Sequence, residues 1–102
     1  MTARREKLEA MLASDPSDQM LRYMLALELD KEDADDRSLE LFNGLMSDST
    51  PHVPSFLMAG QLLARLGRTD EARSTYEAGI AQAKIQGNDH AAGEMGQFLL
   101  EL

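Results

Sequence analysis

The chain has 102 residues and contains no cysteine, no tryptophan and only three prolines. Without cysteine it forms neither a disulfide nor a thiolate metal site, which is consistent with the cytoplasm, the expected location. Aromatic residues make up 5% of the chain, so a core has to be built from Leu, Ala and the seven Met. Few prolines and seven glycines leave little room for long structureless loops. No apolar run approaches the roughly 20 residues a membrane span needs. Near the start, Arg4, Arg5 and Lys7 are interrupted by Glu6 and Glu9 and no apolar stretch follows, so neither a signal peptide nor a membrane role is expected. Bases are scarce as well. Ten Lys and Arg stand against 18 Asp and Glu, a formal charge of −8, which disfavours nucleic acid as a partner because that affinity comes mainly from Lys and Arg.

Chemical motifs are missing too. No G-x-S-x-G or P-loop glycine pattern occurs. The run 28–36, ELDKEDADD, concentrates six acids, but no register supplies both the glycine and the final glutamate of a calcium loop. It reads as a solvated turn, or at most an acidic lip attracting basic partners. His52 and His90 each lack a second ligand four residues on, so no metal site is expected. Arg65, Arg68 and Arg73 read as a solvated surface rather than a phosphate site. The expectation is no enzyme, no cofactor and no metal.

What is present is helical periodicity. In the stretch 53–86, Phe56, Ala59, Gly60 and Leu63 share one face at i, i+3, i+4, i+7. Gly60 has no side chain, so a second helix can approach closely there. Ala72 does the same from that second helix, and Tyr76 fills the space beside the small residues. Gly67 supplies the positive φ that ends the first helix. Thr69 is positioned to cap the second, with Asp70 and Glu71 complementing its dipole. Shifted back by 34, the pattern meets Leu25, Ala26, Leu29, Ser38 and Phe42, with Arg22 for the aromatic, Asp33 for the turn glycine and Leu45 at a usually small site. That degeneracy predicts looser or differently angled packing. A further shift places Leu8 under Phe42. Forward by 36, Ala92, Met95, Gly96 and Leu99 repeat the spacing. Helices are expected over about 2–14, 18–31, 35–47, 54–66, 70–86 and 89–102, with boundaries good to about 2–4 residues.

Phe56, Ala59, Gly60 and Leu63 fit W-x2-L-G-x2-Y, and Ala72 and Tyr76 fit the A-x3-F that follows. On these residues the chain resembles the tetratricopeptide repeat (TPR) family, in the manner of a small bacterial TPR domain protein. The resemblance implies an all-α, right-handed superhelix of about six antiparallel helices. Repeats 19–52 and 53–86 would be flanked by half repeats 1–16 and 89–102. It also implies a protein or peptide partner held on the concave face. Carried over by position, that groove comprises Tyr23, Leu27, Lys31, Leu57, Gln61 and Arg65, with Met20 and Met24 beside it and Gly93 and Gln97 following. Tyr23 and Leu27 stand where the carboxylate clamp of some TPR domains needs polar or basic residues, so that clamp is not expected.

The segment 18–31 leaves almost no polar side: Met20, Leu21, Tyr23, Met24, Leu25, Ala26, Leu27 and Leu29 surround it. A helix apolar all round is covered all round. Tyr23, Met24 and Leu27 therefore either line an apolar groove for a helix or extended segment or belong to the core. Self-association through the end helices, completing a broken repeat, is the alternative function.

Overall fold

The computed structural model describes residues 3–102. Six helices follow one another: α1 Ala3–Ser14, α2 Gln19–Lys31, α3 Asp35–Met46, α4 Val53–Arg65, α5 Thr69–Ile85 and α6 Asp89–Leu100. No strand occurs among the described residues. The expected start at Thr2 lies outside them. Each helix packs on its neighbours in the chain, and α4 also touches α6. The result is an antiparallel stack of 37 × 29 × 18 Å, a right-handed superhelix with two full repeats between two halves.

The turns follow from backbone physics. Asp33, Gly67 and Gly87 take φ of 59°, 77° and 74°. In each case that residue's own amide and the following one close the same double cap: Asp33 N–H to Asp30 C=O and Ala34 N–H to Leu29 C=O, then Gly67 to Ala64 with Arg68 to Leu63, and Gly87 to Lys84 with Asn88 to Ala83. These pairs satisfy carbonyls that a helix end otherwise leaves orphaned. Asp33 thus adopts the glycine conformation, at a steric cost that an aspartate tolerates better than most residues. Asp33→Gly is expected to stabilise the chain by about 0.5–1 kcal/mol, and a thermal melt that fails to rise contradicts this reading.

Caps account for some boundaries and correct others. Asp18 accepts a hydrogen bond from Leu21 N–H at 2.8 Å, and Asn88 accepts one from Ala91 N–H at 3.1 Å. Pro54 lies in the first turn of α4, where its missing N–H costs nothing. Thr69 does not cap α5. It is the first helical residue, and Arg68 occupies the cap position without a side-chain bond to the backbone. Instead, the Arg68 guanidinium grips Glu71 through two nitrogens. The last helix ends at Leu100 rather than running to Leu102.

Two apolar clusters hold the stack. The larger joins α3 to α6 through Phe42, Leu45, Phe56, Ala59, Leu63, Ala72, Tyr76 and Met95, together with Ala26 of α2. The smaller, Leu8, Leu25 and Leu29, fixes α1 to α2. At the centre of the second repeat the α4 and α5 backbones approach closely. A Cβ on Gly60 would lie 2.3 Å from Tyr76 Cε1, and one on Gly79 would lie 2.5 Å from both Met95 Sδ and Phe56 Cβ.

The first repeat solves the same problem with different residues. Arg22 stands in place of the aromatic Phe56, while Leu45, fully buried, stands in place of Gly79. The larger residue on one helix offsets the loss on the other, as close packing demands. Arg22 reaches past α3 to pair with Asp48, which also accepts from Gln19 Nε2 at 2.9 Å. The fully buried Ser38 hydroxyl donates to Ala26 C=O at 2.8 Å.

The acidic run is not simply a solvated turn. Glu28 is buried and pairs with Arg4 at 2.8 Å. Glu32 pairs with Arg5 at 2.9 Å, and Asp30 with Arg65 at 2.6 Å. Half of its acids therefore tie α1 and α4 to α2. The sequence hid this because the basic partners lie over 20 residues away in each case.

Candidate functional site

The first helices of successive pairs, α2, α4 and α6, are brought side by side, and their facing residues form the candidate site. On the α2 side, Tyr23 packs toward α3 and the turn that leads into α4. The Tyr23 ring lies 4.7 Å from His52 and 6.3 Å from Phe42, centroid to centroid. Tyr23 and Leu27 are half-buried against the main core. At the far end Arg65 bridges to Asp30. Burial raises the Tyr23 hydroxyl above its usual pKa.

Between α4 and α6 the surface is open. One cleft of about 210 Å³ is walled by Val53, Pro54 and Leu57 against Ala91, Glu94 and Met95. A second, of about 280 Å³, lies among Gln61, Arg65, Tyr76 and Phe98. Its floor is rigid, because Tyr76 and Phe98 stack at 6.1 Å with 20° between their planes. A larger open hollow of about 400 Å³ lies between α3 and α5, but Arg68 and Glu71 on its wall already pair with each other.

The residues expected to form one groove are divided among three places. Leu57, Gln61 and Arg65 do face the α4–α6 clefts. Tyr23 and Leu27 are half-buried against the main core, with Tyr23 beside His52. Met24 turns the other way, with Leu21, against the α1 cluster, and Met20 is exposed. The apolar surround of α2 is thereby accounted for, since α1, α3 and the start of α4 cover it from different sides. Gly93 and Gln97 remain exposed. The cleft uses Ala91, Glu94 and Phe98 of α6 instead. The shift of 36 holds for the core, since Phe56 and Ala59 map onto the buried Ala92 and Met95; the cleft is lined by other residues of α6 than Gly93 and Gln97.

His52 lies against the Tyr23 ring, its Nδ1 2.7 Å from Ser55 Oγ. Burial, reinforced by the nearby Arg22 charge, lowers its pKa below the ordinary 6.5, while Asp48 opposes the shift weakly. A base with a depressed folded-state pKa binds its proton more readily when unfolded. Its contribution to stability is therefore full above pH 6.5 and lost as pH falls through the folded value. Between pH 7.5 and 5.5 the urea midpoint is expected to decline, and His52→Gln flattens that decline. An unchanged slope in the variant assigns the effect elsewhere. Asp48, held down by hydrogen bonds from Arg22 and Gln19, and Glu9, held down by Arg5, add acid sensitivity only at lower pH.

Among the described residues no three of His, Asp and Glu come together as a metal-binding group. No helix of the described residues is long and apolar enough to cross a membrane.

No protein-family model matches the chain, and no curated protein matches it. Solved structures do. A tetratricopeptide repeat domain protein from Salinibacter ruber, in a solution NMR structure, is 37% identical with a TM-score of 0.80, over 85% of this chain and 88% of that one. The chain belongs to the tetratricopeptide repeat family. A crystal structure of a TPR domain protein from the same organism superposes with a TM-score of 0.76 at 35% identity, over 83% of this chain and 94% of that one. A protein of Bordetella parapertussis, in a solution structure, gives 0.81 at 28% identity over 99% of this chain and 88% of that one. The TPR architecture is that of a protein-interaction module and is generally non-enzymatic.

Proposed function

We propose that this TPR chain is a non-enzymatic protein–protein interaction module, with repeats 19–52 and 53–86, that takes a peptide or protein segment on its concave face. The observation that carries this reading is the α4–α6 seam. Two clefts run beside the α4 row Leu57, Gln61, Arg65; the one at Leu57 is walled by Val53, Ala91 and Met95, and the one at Gln61 and Arg65 is floored by the stacked Tyr76 and Phe98. They have the form of a peptide groove, apolar with a few polar groups that fix orientation. The half-buried Tyr23 and Leu27 of α2 form the groove's wall. Met20 and Met24 fall outside it.

The test is selection of binders from a random peptide display library, followed by Leu57→Lys and Gln61→Ala variants. Selected peptides are expected to lose binding to Leu57→Lys at least tenfold while the helical melt is unchanged. Peptides that ignore both variants overturn the groove assignment.

A second reading, self-association, is supported by α6, where Leu100 is 83% exposed and no described atom lies within 4 Å of a Cβ built on Gly93 or Gly96. Sedimentation of the wild type and of Leu100→Asp separates the two readings. A dimer that Leu100→Asp abolishes favours self-association, and a monomer at all concentrations removes it.

A further inference from the structure

A cleft of about 250 Å³ lies on the other side of α2, between α1 and α2. Leu8, Met11, Leu21 and Met24 line its apolar part, and Arg4 and Lys7 stand at its edge. The repeat explains why a hollow exists there. Arg4, Leu8 and Met11 precede Ser38, Phe42 and Leu45 by 34 residues, and Ala72, Tyr76 and Gly79 by 68. In α3 this face meets the preceding helix, since Ser38 Oγ donates to Ala26 C=O. In α5 it does so again, with Tyr76 against Gly60. Ser38, Phe42 and Leu45 are fully buried as a result. In α1 the same face carries Met11, which is 46% exposed, and borders the cleft. By position the cleft matches the faces on which α3 and α5 receive a helix.

Its chemistry differs from the other two seats. Where Ser38 and Ala72 are fully buried, α1 has Arg4, whose side chain is 59% exposed and bound to Glu28 through Nε. Lys7 is exposed one turn further on. An uncharged helix laid in this seat would take the Lys7 ammonium out of water without a counter-charge, Arg4 alone having an acid partner in Glu28, and that cost opposes the apolar contact. A helix bringing carboxylates to Arg4 and Lys7 escapes that cost, and the terminal guanidinium nitrogens suit a carboxylate. The patch is locally basic in a chain of charge −8, so Arg4 and Lys7 favour an acidic segment at contact range. Flexible Met11 and Met24 adapt to varied apolar side chains.

We infer that the α1–α2 cleft is a second docking surface, separate from the concave face, for an acidic amphipathic helix of another protein. Its apolar side chains pack on Met11, Leu21 and Met24, and its carboxylates pair with Arg4 and Lys7.

The probe is a synthetic 18-residue helical peptide with leucines at i, i+3, i+4, i+7 flanked by glutamates. A control of the same sequence carries lysines in place of the glutamates. Titration into the full chain, followed by the methionine methyl NMR signals, is expected to shift Met11 and Met24 with the acidic peptide alone, more strongly at low salt. Lys7→Glu, an exposed change that leaves the Arg4–Glu28 pair intact, weakens binding about tenfold. Met11→Ser weakens it through the apolar floor, and Leu57→Lys in the concave face leaves it unaltered. Equal binding of the lysine peptide, or shifts confined to residues beside Leu57 and Phe98, overturns the inference. So does movement of the Met11 and Met24 signals on diluting the protein alone, which would give the seat to a second copy.

Discussion

Phe42→Ala lowers the unfolding free energy by about 3–5 kcal/mol, the cost of removing a large buried ring from a close-packed core. Phe42 is fully buried and packs beside Tyr23, with the two ring centroids 6.3 Å apart. A domain of this size has about 5–15 kcal/mol in total, so the variant retains little reserve at 37 °C. The loss is expected to be asymmetric. Phe42 joins α3 to the larger cluster, while the α1 contact rests on Leu8, Leu25 and Leu29. Chemical denaturation followed by far-ultraviolet circular dichroism measures the effect, and a change below about 1 kcal/mol would show that the cavity collapses without penalty.

Gly60→Ala is the second large effect, and its sign tests the logic of the repeat. On an isolated helix the change stabilises by about 1 kcal/mol, because alanine is the better helix former. Here the added Cβ would fall 2.3 Å from Tyr76 Cε1 and 2.7 Å from Tyr76 Cζ. The ring is buried and stacked on Phe98, so it has no free direction in which to yield. Overpacking of this kind costs about 1–3 kcal/mol and occasionally more. A net destabilisation of about 2 kcal/mol is therefore expected. Combining it with Tyr76→Leu, which removes the obstructing ring edge, recovers part of the loss, and the double-mutant cycle gives the coupling directly. Additive effects in that cycle would mean that the two residues do not meet. Because Tyr76 also floors the cleft between α4 and α6, Gly60→Ala is expected to weaken groove ligands as well.

The two clefts on either side of the stack invite different chemistry. The α4–α6 seam is mostly apolar, with Gln61, Arg65 and Glu94 at its margins. The α1–α2 cleft is apolar with a basic edge. The two proposed surfaces, one at the middle of the stack and one at its first helix, would let the chain hold two partners without their competing.

The sequence by itself determined the helices, their order and their family. Phe56, Ala59, Gly60, Leu63, Ala72 and Tyr76 are local signals, since each acts within a single pair of helices and repeats at a fixed interval. The close approach at Gly60 and the left-handed turn at Gly67 follow from residue chemistry alone, and the equivalence of Asp33 with Gly67 was legible from the spacing. Only the tertiary structure decided which faces remained open. The direction of each side chain of α2 depends on three neighbours, so a helix apolar all round gave no means of sending Tyr23 to one side and Met24 to the other. Arg22 and Leu45 at the places of Phe56 and Gly79 were also legible from the spacing, but the pairing of Arg22 with Asp48, and of the acidic run with Arg4, Arg5 and Arg65, joins residues far apart along the chain. Charge is matched in space rather than along the chain, and for that reason a single sequence left these pairs unassigned.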